Sequence, residues 1–154
     1  MKKKILGILL SIILMCGLTG CGIKYPKLKK DAIGFQTSSY IDENDNNAGY
    51  LTIQYNGRTY MPYGTLKGTL KEKYIEKCIG YIIQNENNSS VIDINNKDTR
   101  IYTLSDDKDN NFLMEHYIGT DLMNPQSFYR AIDTRDKDID IPKYIDDLDY
   151  NYWK

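Results

Sequence analysis

The chain has 154 residues with 20 basic and 21 acidic side chains, one His and three Cys, long enough for one ordinary domain and too short for two. A hydrophobic share of 41%, with 14 Tyr among the aromatics, exceeds what disordered chains carry and predicts a packed core. A formal charge of -1 argues against a nucleic-acid partner.

In chain order, Met1-Lys2-Lys3-Lys4 leads into an apolar run of 14 residues, 5–18. A membrane-spanning helix needs about 20 apolar residues, whereas an export signal needs only a short apolar stretch behind a basic start. The run therefore reads as a signal peptide. It ends in Leu18-Thr19-Gly20-Cys21, which closely resembles the lipobox of bacterial lipoproteins. The resemblance implies that the Cys21 thiol takes a diacylglyceryl group and that a signal peptidase cuts just before it. Gly20 and Thr19 are small enough for an extended backbone to enter the protease, and Leu18 fills an apolar subsite.

These readings divide the chain into a removed signal (1–20), a lipidated Cys21 with a basic tether (21–31) and one extracytoplasmic globular domain (32–154). Removing residues 1–20 takes away Lys2, Lys3 and Lys4, and 20 basic side chains less these three leave 17 against 21 acidic ones. The expected location is the outer face of the cell membrane, anchored by lipid. The abundance of Ile, Asn, Lys and Tyr resembles the usage of Gram-positive bacteria. Lys24, Lys27, Lys29 and Lys30 of the tether can rest on an anionic bilayer, each contributing on the order of 1 kcal/mol. The mature chain keeps only Cys21 and Cys78, so a disulfide framework is excluded, and Cys78 reads as a small buried hydrophobe at a strand edge.

The expected fold class is α+β, a small and mainly antiparallel β-sheet domain with one or two short helices. Leu51, Ile53 and Tyr55 alternate on one face of a strand, Asn56-Gly57 follows, and residues 58–63 return; this is the strongest short hairpin signal, because both turn residues must take positive φ. Pro62 places the second strand near a sheet edge or ends its pairing there. Thr69-Leu70-Lys71-Glu72 fits a capping box, which predicts a short helix over 70–77. Strands are predicted at 79–84, 91–94, 100–104 and 112–117, joined by Asn/Asp turns. Asn124-Pro125 could open a short helical segment through Phe128, Tyr129 and Ile132.

Motifs for phosphate loops, nucleophile elbows, zinc and dithiol chemistry do not occur in the sequence. His116, the one imidazole, falls in an apolar strand and reads as structural. Three acidic clusters, Asp42-Glu43-Asn44-Asp45, Asp106-Asp107-Lys108-Asp109 and Asp136-Lys137-Asp138-Ile139-Asp140, lack the Gly and Glu spacing of a calcium loop and read as solvated turns. No cofactor, metal ion or catalytic residue is assigned.

The remaining signal is aromatic. Tyr150, Tyr152 and Trp153, beside Asp146, Asp147 and Asp149, form a candidate recognition surface for a cationic peptide; the alternative is a tail that docks to complete the core. In the middle of the chain, Tyr55-Asn56-Gly57-Arg58-Thr59-Tyr60, Arg100-Ile101-Tyr102-Thr103-Leu104 and Asn111-Phe112-Leu113-Met114 are similar to the module of lantibiotic-immunity lipoproteins. That resemblance implies a small anchored protein that sequesters an antimicrobial peptide at the cell surface. The expected function is therefore a non-enzymatic, lipid-anchored binding module for a peptide, protein or envelope component. The competing class is an envelope-acting hydrolase, which needs two carboxylates roughly 5 to 9.5 Å apart across a cleft.

Overall fold

A computed structural model describes residues 24–43, 45, 47–83, 97–119 and 125–153. The lipobox residues Leu18, Thr19, Gly20 and Cys21, and the strand expected at 91–94, lie outside these described residues. Among the described residues nine strands form one sheet: β1 (Ile33–Gln36), β2 (Ser38–Asp42), β3 (Ala48–Tyr55), β4 (Arg58–Leu66), β5 (Ile75–Ile83), β6 (Thr99–Leu104), β7 (Phe112–Tyr117), β8 (Ser127–Ala131) and β9 (Leu148–Asn151). Their order is β1-β5-β6-β7-β8-β4-β3-β2, with β9 alongside β4. β1 pairs β5 in parallel, and the other described pairings are antiparallel.

The two ends of that order are one stretch of chain. β1 lies against β5 through Gln36, and after the single buried residue Thr37 the chain continues as β2 against β3. The sheet therefore curls until residues 33–42 close it. This closure explains the first apolar cluster, in which Phe35, Ile53, Tyr60, Ile79, Ile82, Ile101, Leu113, Tyr129 and Ala131 come from strands alone, facing one another across the curl. The opposite face presents Tyr63, Cys78, Tyr102, Leu104, Phe112, Met114 and Phe128, covered by Tyr25, Leu28, Ile139, Ile141, Tyr144, Leu148 and Trp153. With both faces buried, the central strands are continuous apolar runs such as Phe112-Leu113-Met114 instead of alternating ones.

The hairpin is present where local chemistry demands it: β3 and β4 meet at Asn56 (φ 50°) and Gly57 (φ 74°). Gly57→Val places a β-branched residue in the left-handed region and is expected to cost roughly 1 to 3 kcal/mol, read as a lower melting temperature by circular dichroism. β4 is not an edge strand. It pairs β3 as far as Tyr60, then β9 from Gly64, and its register with β8 shifts between Pro62 and Gly64, so the residue without an N–H sits where one partner hands over to the next.

The small, mainly antiparallel β-sheet domain is as expected, but α+β is corrected toward a mostly β fold, because the two predicted helices give way to 3₁₀ turn and strand. Glu72–Tyr74 forms one 3₁₀ turn with no side-chain cap, and Ile75 already begins β5. Register shifts at Ile75/Lys77 and Cys78/Gly80 let residues three apart share a face, so Ile75 and Cys78 enter one cluster while Ile79 and Ile82 enter the other; that spacing mimics a helix. Likewise Phe128 and Tyr129 point into opposite clusters as members of β8, followed by a 3₁₀ turn at Ile132–Thr134. Among the described residues α-helix is confined to the single turn α1 (Lys143–Asp146).

Candidate functional site

The C-terminal residues flagged from sequence return along β4. β9 pairs Tyr150 with Thr65, the Tyr152 N–H donates to Tyr63 O at 2.8 Å, and the Trp153 Nε1–H donates to Pro62 O at 3.0 Å. The Trp153 ring meets Tyr63 edge-on at 5.4 Å, and the guanidinium groups of Arg130 and Arg135 lie 5.0 and 4.8 Å from its centroid. Arg130 is buried among the rings of Tyr63, Phe112 and Trp153, and donates to the Thr134 hydroxyl and carbonyl at 2.9 and 2.7 Å. Arg135 pairs with Asp42 at 2.6 Å.

The three tail aromatics therefore divide. Trp153 is an anchor, whereas Tyr150 is 58% exposed and packs edge-on to Tyr152 at 4.8 Å, which in turn meets Tyr50 at 6.0 Å. Tyr50 donates to the Asp45 carboxylate, which pushes its own hydroxyl up to about 12. The result is a row, Tyr50-Tyr152-Tyr150, held to the sheet by β9 and bordered by the Asp45 carboxylate. Tyr50 was not legible as its third member, because only the pairing of β9 with β4 brings it near the tail.

Two of the acidic clusters are not simply solvated turns. Asp42 is fully buried against Arg135, and buried Asp107 accepts the Phe112 N–H at 2.6 Å. Burial pushes the Asp107 carboxyl up, partly offset by that N–H and by the N–H of Asn111. Asp107, Glu76, Lys77, Thr103, Lys108 and Tyr55 line a polar cavity of about 430 Å³ between β5–β6 and the β3–β4 turn. Its rim is stapled by Arg58, which donates to Asp109 O and Asn110 O and pairs with Asp133 at 2.9 Å, and by the Tyr60 hydroxyl, which donates to Asn110 O at 2.7 Å. A neighbouring cavity of about 210 Å³ shares Tyr55 and Lys77 and reaches Lys29, Asp31 and Ile33.

Two more titratable groups sit on β7. His116 stacks on Tyr25 at 4.5 Å, its Nδ1 buried without a partner, and burial pulls its pKa down. Burial pushes Glu115 up, partly offset by the Tyr129 hydroxyl that donates to it. A carboxyl whose folded pKa is raised stabilises the fold fully below its unfolded value near 4.5 and loses that contribution as pH rises through the folded value. Glu115→Gln, which removes the ionisation, is thus expected to raise the melting temperature relative to the parent more at about pH 7.5 than at about pH 4.

Cys78 is buried in β5, and burial pushes its thiol up. Among the described residues no group of three or more His, Cys, Asp or Glu is placed to hold a metal ion, and no helix is long and apolar enough to cross a membrane. No family model, no curated protein and no solved structure matches the chain.

Proposed function

We propose that the chain is a lipid-anchored binding module on the extracytoplasmic membrane face, held by diacylglyceryl-Cys21, that recognises a cationic peptide or an envelope protein. Antimicrobial-peptide immunity is its concrete version. The observation that carries the reading is the row Tyr50-Tyr152-Tyr150, half-buried at Tyr50 and Tyr152 and exposed at Tyr150, fixed from behind by Trp153 and edged by Asp45. Rigid amphipathic rings supply contact area with little conformational loss, and adjacent carboxylates steer a cationic partner.

The competing hydrolase would draw on Glu76 and Asp107, which line one cavity. Both are committed to the fold, Glu76 accepting the Thr103 hydroxyl at 2.9 Å and Asp107 the Phe112 N–H, which favours binding over carboxylate chemistry.

The test uses the full-length lipoprotein in detergent. Trp153, the single Trp, borders the row, and cationic antimicrobial peptides are expected to shift its emission with an affinity that falls as salt rises. Tyr150→Ala is expected to cost about 1 to 2 kcal/mol of binding while leaving the melting temperature nearly unchanged; undiminished affinity in that variant would remove the row from recognition. Anchoring is tested separately. Cys21→Ala is expected to lose labelled fatty acid and membrane fractionation, and retention of both refutes the lipobox.

A further inference from the structure

We propose that residues 24–31 are a strap seated on the sheet through a proton switch: the strap lies down while His116 is neutral and lifts when the imidazole takes a second proton. Tyr25 is the latch. Its ring stacks on His116 with centroids 4.5 Å apart, and it lies 5.8 Å from the ring of Tyr102. Its hydroxyl accepts from Gln126 Nε2 at 2.7 Å, while Oε1 of the same buried Gln126 accepts the Leu70 N–H at 2.5 Å, so the fold fixes the receiving side. Leu28 packs on the same apolar cluster. Among the described residues, 24–28 belong to no strand and are fastened by the Gln126 bond and by packing alone. β7, by contrast, is held between β6 and β8. If His116 must be relieved, the strap is what moves.

A neutral imidazole carries a hydrogen on one nitrogen only, so the buried Nδ1, which has no hydrogen-bond partner, can stay bare. The imidazolium donates from both. Its Nδ1 proton would be enclosed beneath Tyr25 without an acceptor, and a charged donor buried unpaired costs more than a tyrosine face returns by holding a cation. The neighbouring groups do not compensate. Arg100 stands directly opposite His116 in the β6–β7 register, and burial keeps Cys78 and Tyr102 on that face neutral. Glu115 turns to the other face, where it meets Tyr129. Lys24 and Lys27 of the strap are exposed cations, Lys97 lies over the Tyr81 ring at 4.9 Å, and Asp98 meets β7 through its backbone carbonyl, which accepts the Ile118 N–H at 2.9 Å. Lifting Tyr25 admits water to Nδ1. A base that is harder to protonate with the strap down holds it fully above the ordinary value of 6.5, and loses that hold as pH falls below it. On the anchoring proposed through Cys21, and on that reading alone, eight released residues let the domain stand up to about 27 Å farther from the bilayer.

The experiment follows the full-length protein in detergent by nuclear magnetic resonance from about pH 8 to about pH 4.5, reading the single imidazole and the backbone amides of residues 24–31 together. The imidazole midpoint is expected below 6.5, and the strap amides should move to unfolded-chain positions with that same midpoint while those of β6 and β8 stay in place. His116→Phe keeps a ring under Tyr25 but takes no proton, so its strap should remain seated across the range. Tyr25→Ala should leave the strap lifted at every pH and bring the His116 midpoint up toward 6.5. Cys21→Ala should behave like the parent, so a failure of the lipid anchor leaves this result untouched. Strap amides that stay still while His116 titrates, a strap that lifts at the same pH in His116→Phe, or an unchanged His116 midpoint in Tyr25→Ala each overturns the proposal.

Discussion

Arg135→Met is expected to lower stability by about 3 kcal/mol or more. The side chain of Asp42 is fully buried, and that of Arg135, 2.6 Å away, is 18% exposed. Methionine keeps much of the apolar stem but removes the cation paired with a carboxylate held inside the protein, and breaking one side of a buried ion pair is costly. The reverse change is milder. Asp42→Asn leaves a guanidinium that still reaches water and still stacks on Trp153 at 4.8 Å, so it should cost less than Arg135→Met. Denaturant unfolding of both variants checks the order, and equal costs would mean that Asp42 is held by its other contacts. Because Arg135 also covers Trp153, the emission of that ring should change in the folded state of Arg135→Met.

Gly80→Val is expected to cost about 3 kcal/mol or more, through backbone instead of charge. A Cβ at this position would stand 2.1 Å from the Ile33 carbonyl oxygen and 2.6 Å from the Phe35 ring, and a carbonyl in a strand cannot swing aside as a side-chain tip can. β1 must move off β5, and β1 is continuous with β2, so the closure of the curl is lost with it. Gly68→Val serves as the control, since a Cβ there meets nothing within 4 Å and should change stability by no more than about 0.5 kcal/mol. A Gly80→Val protein that melts like the Gly68→Val protein would show that β1 does not close the sheet.

What the sequence revealed follows the range of the forces involved. The Asn56-Gly57 turn was legible because two neighbouring residues decide it, and β6 and β7 because six consecutive residues carry their own strand pattern. The start of β5 reads as helix because Thr69-Leu70-Lys71-Glu72 has the residues of a capping box, but only one uncapped 3₁₀ turn forms there and pairing with β6 makes a strand from Ile75. Asp42 read as a solvated turn residue because its partner lies 93 positions away. The tail aromatics stood out by composition, but which of them anchors and which is exposed depends on β4, whose Pro62 carbonyl receives the Trp153 N–H.

The single stretch that forms both ends of the sheet has a kinetic consequence. Residues 33–36 precede the other strands but find their partner late: Ile33 must meet Gly80, whereas β2–β3, β3–β4 and β6–β7 form across short turns. Loop-closure entropy has to be met before these distant contacts return any energy, which slows folding. Until β1 docks, β5 presents unpaired backbone, and a chain waiting in that state is exposed to association with its neighbours. Refolding yield should therefore fall with protein concentration, and variants that loosen residues 33–42 should steepen that fall even where their native contacts elsewhere are untouched.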